Sequence, residues 1–536
     1  MERRLSLLAI AVVCAFFAAC SKCGKSPVTP AAAPAPISRY LPKAVEAAVV
    51  VPDVAALGEK IKLLQDLKTA NFVAQLQGFT SGTELATSFM QQLGVDLRSR
   101  EEIEKIGIDP SKGAGVALLP GNEAYSVVAV KDEAKLRTFL KNLAANRLGA
   151  SVESTWEQGG VKVVTWARSG TTPALGYVVK DGFAFIAPNA TAEKIKNWAA
   201  LTEDQSLSQE PPLTESLKRL PETRDLYVYA PQGSELAKKG TLAGGTIVAN
   251  LAADGLTLIS DFPWPNTQDS LNVLQPANGP NLFDKLPKDA FAVARFGGDP
   301  ALLAPFLPHL IGPYIEKALK DAGIDANAQI LQNLKPGIAV AVSVANTIRF
   351  DRQVQLDVRR TNPFTYAHLT ALGQVKDAAQ AQALFDKLPE IAPKFGAQME
   401  KTTREGVPAV VTHYAQGEGV HFALIKDTVV AGSPLPRFDE AVAMVSKGEK
   451  GPGPFSDPSF EGLFKDRSVA VLIDLHRLAD SVRNLPGDAW GPGGGFVKAG
   501  WMRWLDGMDD LRAITVSVAG KGSAVQAEIS LRFSKK

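Results

Sequence analysis

Beyond residue 23 the chain has no cysteine; its three cysteines are Cys14, Cys20 and Cys23. The body therefore has no disulfide framework, thiolate zinc site, iron–sulfur ligation or cysteine nucleophile. Histidine is nearly as scarce. All five histidines, His309, His368, His413, His421 and His476, lie in the second half, and none is paired in the His-Glu-x-x-His spacing of a zinc helix. Chemistry common to both halves would have to run on carboxylates. The Gly-x-Ser-x-Gly pentapeptide of a nucleophile elbow is missing; Gly78-Phe79-Thr80-Ser81-Gly82 displaces the serine by one and reads as a helix cap. There is no Walker A sequence and no Gly-x-Gly-x-x-Gly. Gly491-Pro492-Gly493-Gly494-Gly495 lacks the lysine of a phosphate loop. Charge of one sign is also missing: 58 basic against 56 acidic residues give a formal net charge of +2. That balance argues against a nucleic-acid partner. No segment beyond residue 20 reaches 18 uninterrupted apolar residues, so none reads as a spanning helix.

The N-terminus is informative. Arg3 and Arg4 precede Leu5 to Phe17, which is apolar except for Ser6. Such a run is too short to span a bilayer core, which needs roughly 20 residues, but it suits the apolar region of a signal peptide. It ends Phe17-Ala18-Ala19-Cys20. Small residues before a cysteine at this position resemble the lipobox of bacterial lipoproteins, although Phe17 stands where leucine is usual. The resemblance implies cleavage after residue 19 and lipid attachment at Cys20, which anchors the chain in a membrane. Ser21 in the next position, where aspartate marks inner-membrane retention in such lipoproteins, implies the outer membrane.

Residues 20–38 contain four prolines and no periodic apolar pattern, and read as an extended tether. Beyond it the chain repeats itself. Leu41-Pro42-Lys43 recurs as Leu286-Pro287-Lys288, and Val130-Lys131-Asp132 as Val375-Lys376-Asp377. Gly160-Val161 recurs as Gly406-Val407, Lys180-Asp181 as Lys426-Asp427, and Glu215-Ser216-Leu217 as Glu461-Gly462-Leu463. The matches keep one order at a spacing of 245 or 246 residues. They predict two copies of one domain, 39–263 and 281–536, joined by a proline-rich linker at 264–280.

Within the first copy, Ala47 to Val51 reads as a strand, and Asp53 as the cap of a helix carrying Leu57, Ile61 and Leu64 on one face. Ser81 and Asp132 read as further caps. Gly115 to Leu119, Tyr125 to Val130, Val161 to Trp166, Gly176 to Val179, Phe183 to Ala187, Leu226 to Tyr229, Thr246 to Ala252 and Leu256 to Phe262 read as strands. Asp181-Gly182 and Asp254-Gly255 mark hairpin turns. The expectation is an α+β fold: two tandem antiparallel sheets, each with helices packed on one face. The repeated Leu-Pro-Lys, Val-Lys-Asp and Lys-Asp motifs resemble those of a bacterial exported lipoprotein family with a tandem domain of unknown function. That resemblance implies export and an α+β repeat, and no reaction.

Two places stand out for function. His413 and His421 flank Gln416-Gly417-Glu418-Gly419, so their rings face each other across a hairpin. Without a third ligand, packing is the simpler reading than metal binding. The second place breaks the repeat. Ala252-Ala253-Asp254-Gly255 and Ala519-Gly520-Lys521-Gly522 lie 267 residues apart, so about twenty residues enter within 484–510. That stretch holds Trp490, Trp501 and Trp504, with Asp506, Asp509 and Asp510 behind them as a solvated helix end. The aromatics read either as a cap on the core or as a partner contact, for which tryptophan supplies large area at low entropic cost. The sequence thus points to a membrane-anchored envelope lipoprotein acting as a non-enzymatic binding or scaffold protein, with no cofactor or metal. Its partners would be the membrane, through Cys20, and an envelope protein. The alternatives are a carrier of an apolar ligand in a sheet–helix cavity, and a carboxylate-based hydrolase.

Overall fold

The computed structural model describes residues 34–534, apart from 159, 170–172, 239–243, 253, 265–271, 278, 307–315, 346–347, 349–366, 415–416, 449–463, 465 and 492–493. The expected signal segment, Cys20, Cys23 and most of the expected tether lie outside the described residues, as do His309 and the repeat motif at Glu461-Gly462-Leu463. The fold is mixed α/β, an extensive antiparallel sheet with helices packed against it. The described chain divides into two compact units after Pro263, and from Ser530 onward it clusters with the first unit.

The first unit carries β1 (Ala47–Val51), β2 (Ala114–Leu119), β3 (Glu123–Ala129), β4 (Val152–Gln158), β5 (Val161–Ala167), β6 (Pro173–Lys180), β7 (Phe183–Pro188), β8 (Leu226–Ala230), β9 (Gly245–Ala252) and β10 (Gly255–Pro263). Antiparallel pairing sets the order β4-β5-β6-β7-β3-β2-β1-β8-β9-β10. Register aligns Val163, Val178, Phe185, Val127, Gly115, Val50, Tyr227 and Val248 in one row. Residues directly opposite share a face, and this row lines the larger core. Gly115 is glycine because a Cβ there would come within 2.9 Å of Leu41.

Local chemistry explains the helices. Between β1 and β2 lie α1 (Val54–Gln65), α2 (Lys68–Leu76), α3 (Gly82–Leu93) and α4 (Arg100–Lys105). Asp53 accepts the Ala56 N–H at 2.8 Å and Ser81 accepts the Glu84 N–H at 3.1 Å; each such cap stabilises its helix by about 1 kcal/mol. Asp132 caps α5 (Glu133–Leu148) in the same way through the Lys135 N–H. Helices α6 (Ala192–Ala199) and α7 (Pro211–Arg219) follow β7, and the one-turn α8 (Glu235–Lys238) follows β8.

The helices do not keep to one face. Ile195 and Ala199 of α6 and Leu213 and Leu217 of α7 join the core that contains Val163 and Val178. Leu136, Leu140 and Ala144 of α5 instead pack on Val164, Trp166, Leu175 and Tyr177, which point the other way. This corrects the one-face expectation. The reason is visible in β5, where Val163 to Trp166 are buried four in a row. A strand buried on both sides is a continuous apolar run, not an alternation.

The second unit carries β11 (Ala292–Phe296), β12 (Ile338–Val344), β13 (Ala367–Gln374), β14 (Ala397–Arg404), β15 (Val407–Tyr414), β16 (Gly417–Glu418), β17 (His421–Ile425), β18 (Thr428–Ser433), β19 (Val469–Asp474) and β20 (Leu511–Lys521); β21 (Ala524–Phe533) runs across the division at Ser530. Its pairings give β14-β15-β17-β18-β13-β12-β11-β19-β20. Helix α9 (Ala378–Ile391) is capped by Asp377, and α10 (Leu435–Lys447) packs Phe438, Ala441 and Val442 against Ala339, Leu372, Ala423 and Val430. Phe385 of α9 meets Phe422, whose side chain points away from that core. Both faces are covered here too. Part of the expected linker belongs to this unit: Val273 is buried, the Ala277 N–H donates to Gly297 and the Gly520 N–H to Leu274. An apolar valine within a polar, proline-rich stretch gives it a place to pack.

Candidate functional site

The chain between β19 and β20 builds the site. Asp474 accepts the Arg477 N–H and starts α11 (Leu475–Arg483); a short turn at Gly487–Trp490 leads to α12 (Gly494–Gly507). Gly495 and Gly500, inside this helix, cost it roughly 1 kcal/mol each relative to alanine, so packing, not propensity, holds it. Ala479, Val482, Leu485, Ala489, Trp490 and Leu505 form the cluster beneath it, with Val497 and Met502 half-buried at its margin. Gly494 allows the close approach, since a Cβ there would lie 2.4 Å from Trp490 Cβ. Lys498 Nζ sits 5.9 Å from the Trp490 ring, within cation–π reach.

Trp490 is only 2% exposed. It is the floor of the cluster and drops out of the expected contact surface. Trp501 and Trp504 do reach solvent, each 39% exposed, and Phe496 stands out at 89%. At 100° per residue, Phe496, Gly500 and Trp504 follow one another along a single stripe. Trp501 lies beside Trp504, ring centroids 6.0 Å apart and edge to face, a favourable aromatic geometry. Ala499 and Arg503, both exposed, complete the arc. Its single charge is Arg503. The nearby carboxylates are tied aside: Arg483 reaches Asp506 at 3.0 Å, Asp509 at 3.6 Å and Asp480 at 3.4 Å. The Asp506 carboxylate beside it raises the Arg483 guanidinium pKa.

The histidine pair is brought together in a different role. The rings of His413 and His421 lie 6.5 Å apart at 60°. His421 is fully buried, and its Nδ1 accepts the Thr412 N–H at 3.1 Å. The β15–β17 ladder pairs Ala409 with Ala423 and Val410 with Phe422; the imidazole continues it where a carbonyl would otherwise accept. With Nδ1 accepting, the neutral ring carries its proton on Nε2, 3.6 Å from Glu418 Oε2. Burial pushes the His421 pKa down, against an opposing pull from Glu418. His368 is lowered as well, by burial first and then by the Arg437 charge. Among the described residues no group of three or more His, Cys, Asp or Glu side chains is placed to hold a metal ion, and no helix is long and apolar enough to cross a membrane.

Sequence reasoning named Trp501 and Trp504 but missed Phe496, the most exposed large apolar side chain of the described residues. Its signal was the i, i+4, i+8 stripe shared with Gly500 and Trp504. Comparison of the chain with protein-family models, with characterised proteins and with solved structures found no match.

Proposed function

We propose that the chain is a membrane-anchored lipoprotein of the bacterial envelope, cut before Cys20, held in the outer membrane by lipid on that cysteine, and acting by binding rather than catalysis. Its body is a tandem duplication of one α+β domain. The duplication is supported by the repeated motifs and by strand orders that coincide position for position: β4-β5-β6-β7-β3-β2-β1-β8-β9 against β14-β15-β17-β18-β13-β12-β11-β19-β20.

The observation that carries the binding role is the aromatic arc of α12, with Phe496 89% exposed. Large apolar side chains left in water are costly at roughly 25 cal/mol per Å², and clustered ones mark contact surfaces. The arc sits on a connection that the first unit does not match, since β8 and β9 are joined by residues 231–244 and β19 and β20 by residues 475–510, so the shared strands do not require it. The test is affinity capture from solubilised membranes of the wild-type chain and of Trp501→Ala/Trp504→Ala. The expected result is loss of co-purifying molecules from the variant; an identical set from both would remove the arc as the contact.

A further inference from the structure

We infer that the exposed arc of α12 seats in the interfacial layer of a lipid bilayer, the same bilayer that the anchor on Cys20 enters. This inference rests on the lipoprotein reading proposed above. Three observations carry it.

The first is chemical. Indole and phenyl rings flanked by a cation, on a helix whose other side is packed on protein, match what lies in the headgroup–acyl boundary: an amphipathic ring with a polar edge for the headgroups and an apolar body for the chains. Phe496 projects almost completely, 89% exposed, with Trp501 and Trp504 beside it at 39% each. The second is charge. Arg503 is the one ionised side chain of the arc and, among the described residues, has no ion pair; the neighbouring carboxylate of Asp506 is held by Arg483. A cation at the rim with no carboxylate among the aromatics suits an anionic headgroup layer. The third is reach. The described chain starts at Pro34, only fourteen positions after Cys20. At about 3.1 Å per residue even a fully extended polyproline segment keeps the body's start within about 43 Å of the lipid. A body tethered by so short a segment stays at the bilayer at high effective concentration, so a weakly binding aromatic arc is enough.

The test uses the full-length lipoprotein purified from membranes and reconstituted into vesicles of phosphatidylethanolamine and phosphatidylglycerol with brominated acyl chains, which quench nearby indoles. Wild type and Trp501→Phe/Trp504→Phe are compared, and the mass of the N-terminal peptide reports separately whether Cys20 carries lipid. The expected result is quenching in the wild type that falls to the level of unbrominated vesicles in the variant, and weaker quenching in Phe496→Ser with the thermal midpoint unchanged. Equal emission from wild type in brominated and unbrominated vesicles, with Cys20 acylated, overturns the inference and leaves the anchor standing. If the same double substitution instead abolishes capture of a protein while the indoles go unquenched, the arc is a protein contact and the inference is wrong. An unmodified Cys20 overturns the anchor, and this inference with it.

Discussion

The β8–β9 and β19–β20 connections occupy the same place in two runs of strands of the same order, yet differ in kind. The first, 231–244, holds the one-turn α8, whose Lys238 and Glu235 pair in solvent at 3.0 Å. The second, 475–510, holds two helices, a buried tryptophan and an exposed aromatic arc. Closing a longer loop costs little, about 0.6 kcal/mol per doubling. A sheet connection can therefore acquire a new surface without disturbing the strands it joins. The difference separates the strands that the units share from an exposed aromatic surface that, among the described residues, only the second connection carries.

The sharpest way to break that comparison lies inside the long connection. Trp490→Ala empties the centre of its cluster and is expected to cost about 3–5 kcal/mol, read as a lower denaturant midpoint of the second unit. Trp504→Ala, on the helix above it, is expected to cost less than about 1 kcal/mol because the ring is already half in water. Similar losses from both would mean the arc is core. In the first unit, Asp261 is buried and bound by two of the Arg219 nitrogens, Nε at 3.1 Å and Nη2 at 2.7 Å. Removing one partner of such a pair strands the other. Asp261→Ala is expected to cost about 3 kcal/mol in thermal unfolding, the lower end of the usual range because Arg219 keeps some contact with water.

A smaller effect tests the histidine. His421→Leu leaves the Thr412 N–H without its acceptor and is expected to cost about 1–3 kcal/mol. The pH dependence follows from the lowered pKa. The unfolded chain takes up the proton near pH 6.5 while the folded ring resists it. Stability is therefore complete above about pH 6.5 and declines as pH falls below it. His368 contributes in the same direction, so His421→Leu should flatten the pH profile measured by denaturant melts only in part. An unchanged profile would show that His421 binds its proton equally in the folded and unfolded chain.

Much of the fold was legible because short-range chemistry wrote it. The caps at Asp53, Ser81 and Asp132 were readable as acceptors for helix N–H groups, and Asp181-Gly182 turns with φ of 51° and 79° as a hairpin tip requires. Strand β4 was not readable. Its Val-Glu-Ser-Thr-Trp-Glu-Gln is mostly exposed and, among the described residues, pairs only with β5, so no apolar alternation marks it. The two-sided cover of the sheet was hidden for the opposite reason, since four consecutive buried residues on β5 show no period at all. At the site, three tryptophans within fifteen residues are chemically alike, and only the tertiary packing that buries Trp490 separates it from the other two. The role of His421 depends on where two strands part, which no local pattern records.

The most direct test compares the two connections on the cell. In a Cys23→Ser background, Phe496→Cys on α12 and Lys238→Cys on α8 each supply one thiol in a body that otherwise has none. Maleimide labelling is measured in intact membranes and after detergent extraction. Phe496→Cys is expected to be shielded in membranes and labelled once extracted, while Lys238→Cys labels equally in both; equal labelling of Phe496→Cys before and after extraction would contradict a membrane-seated arc.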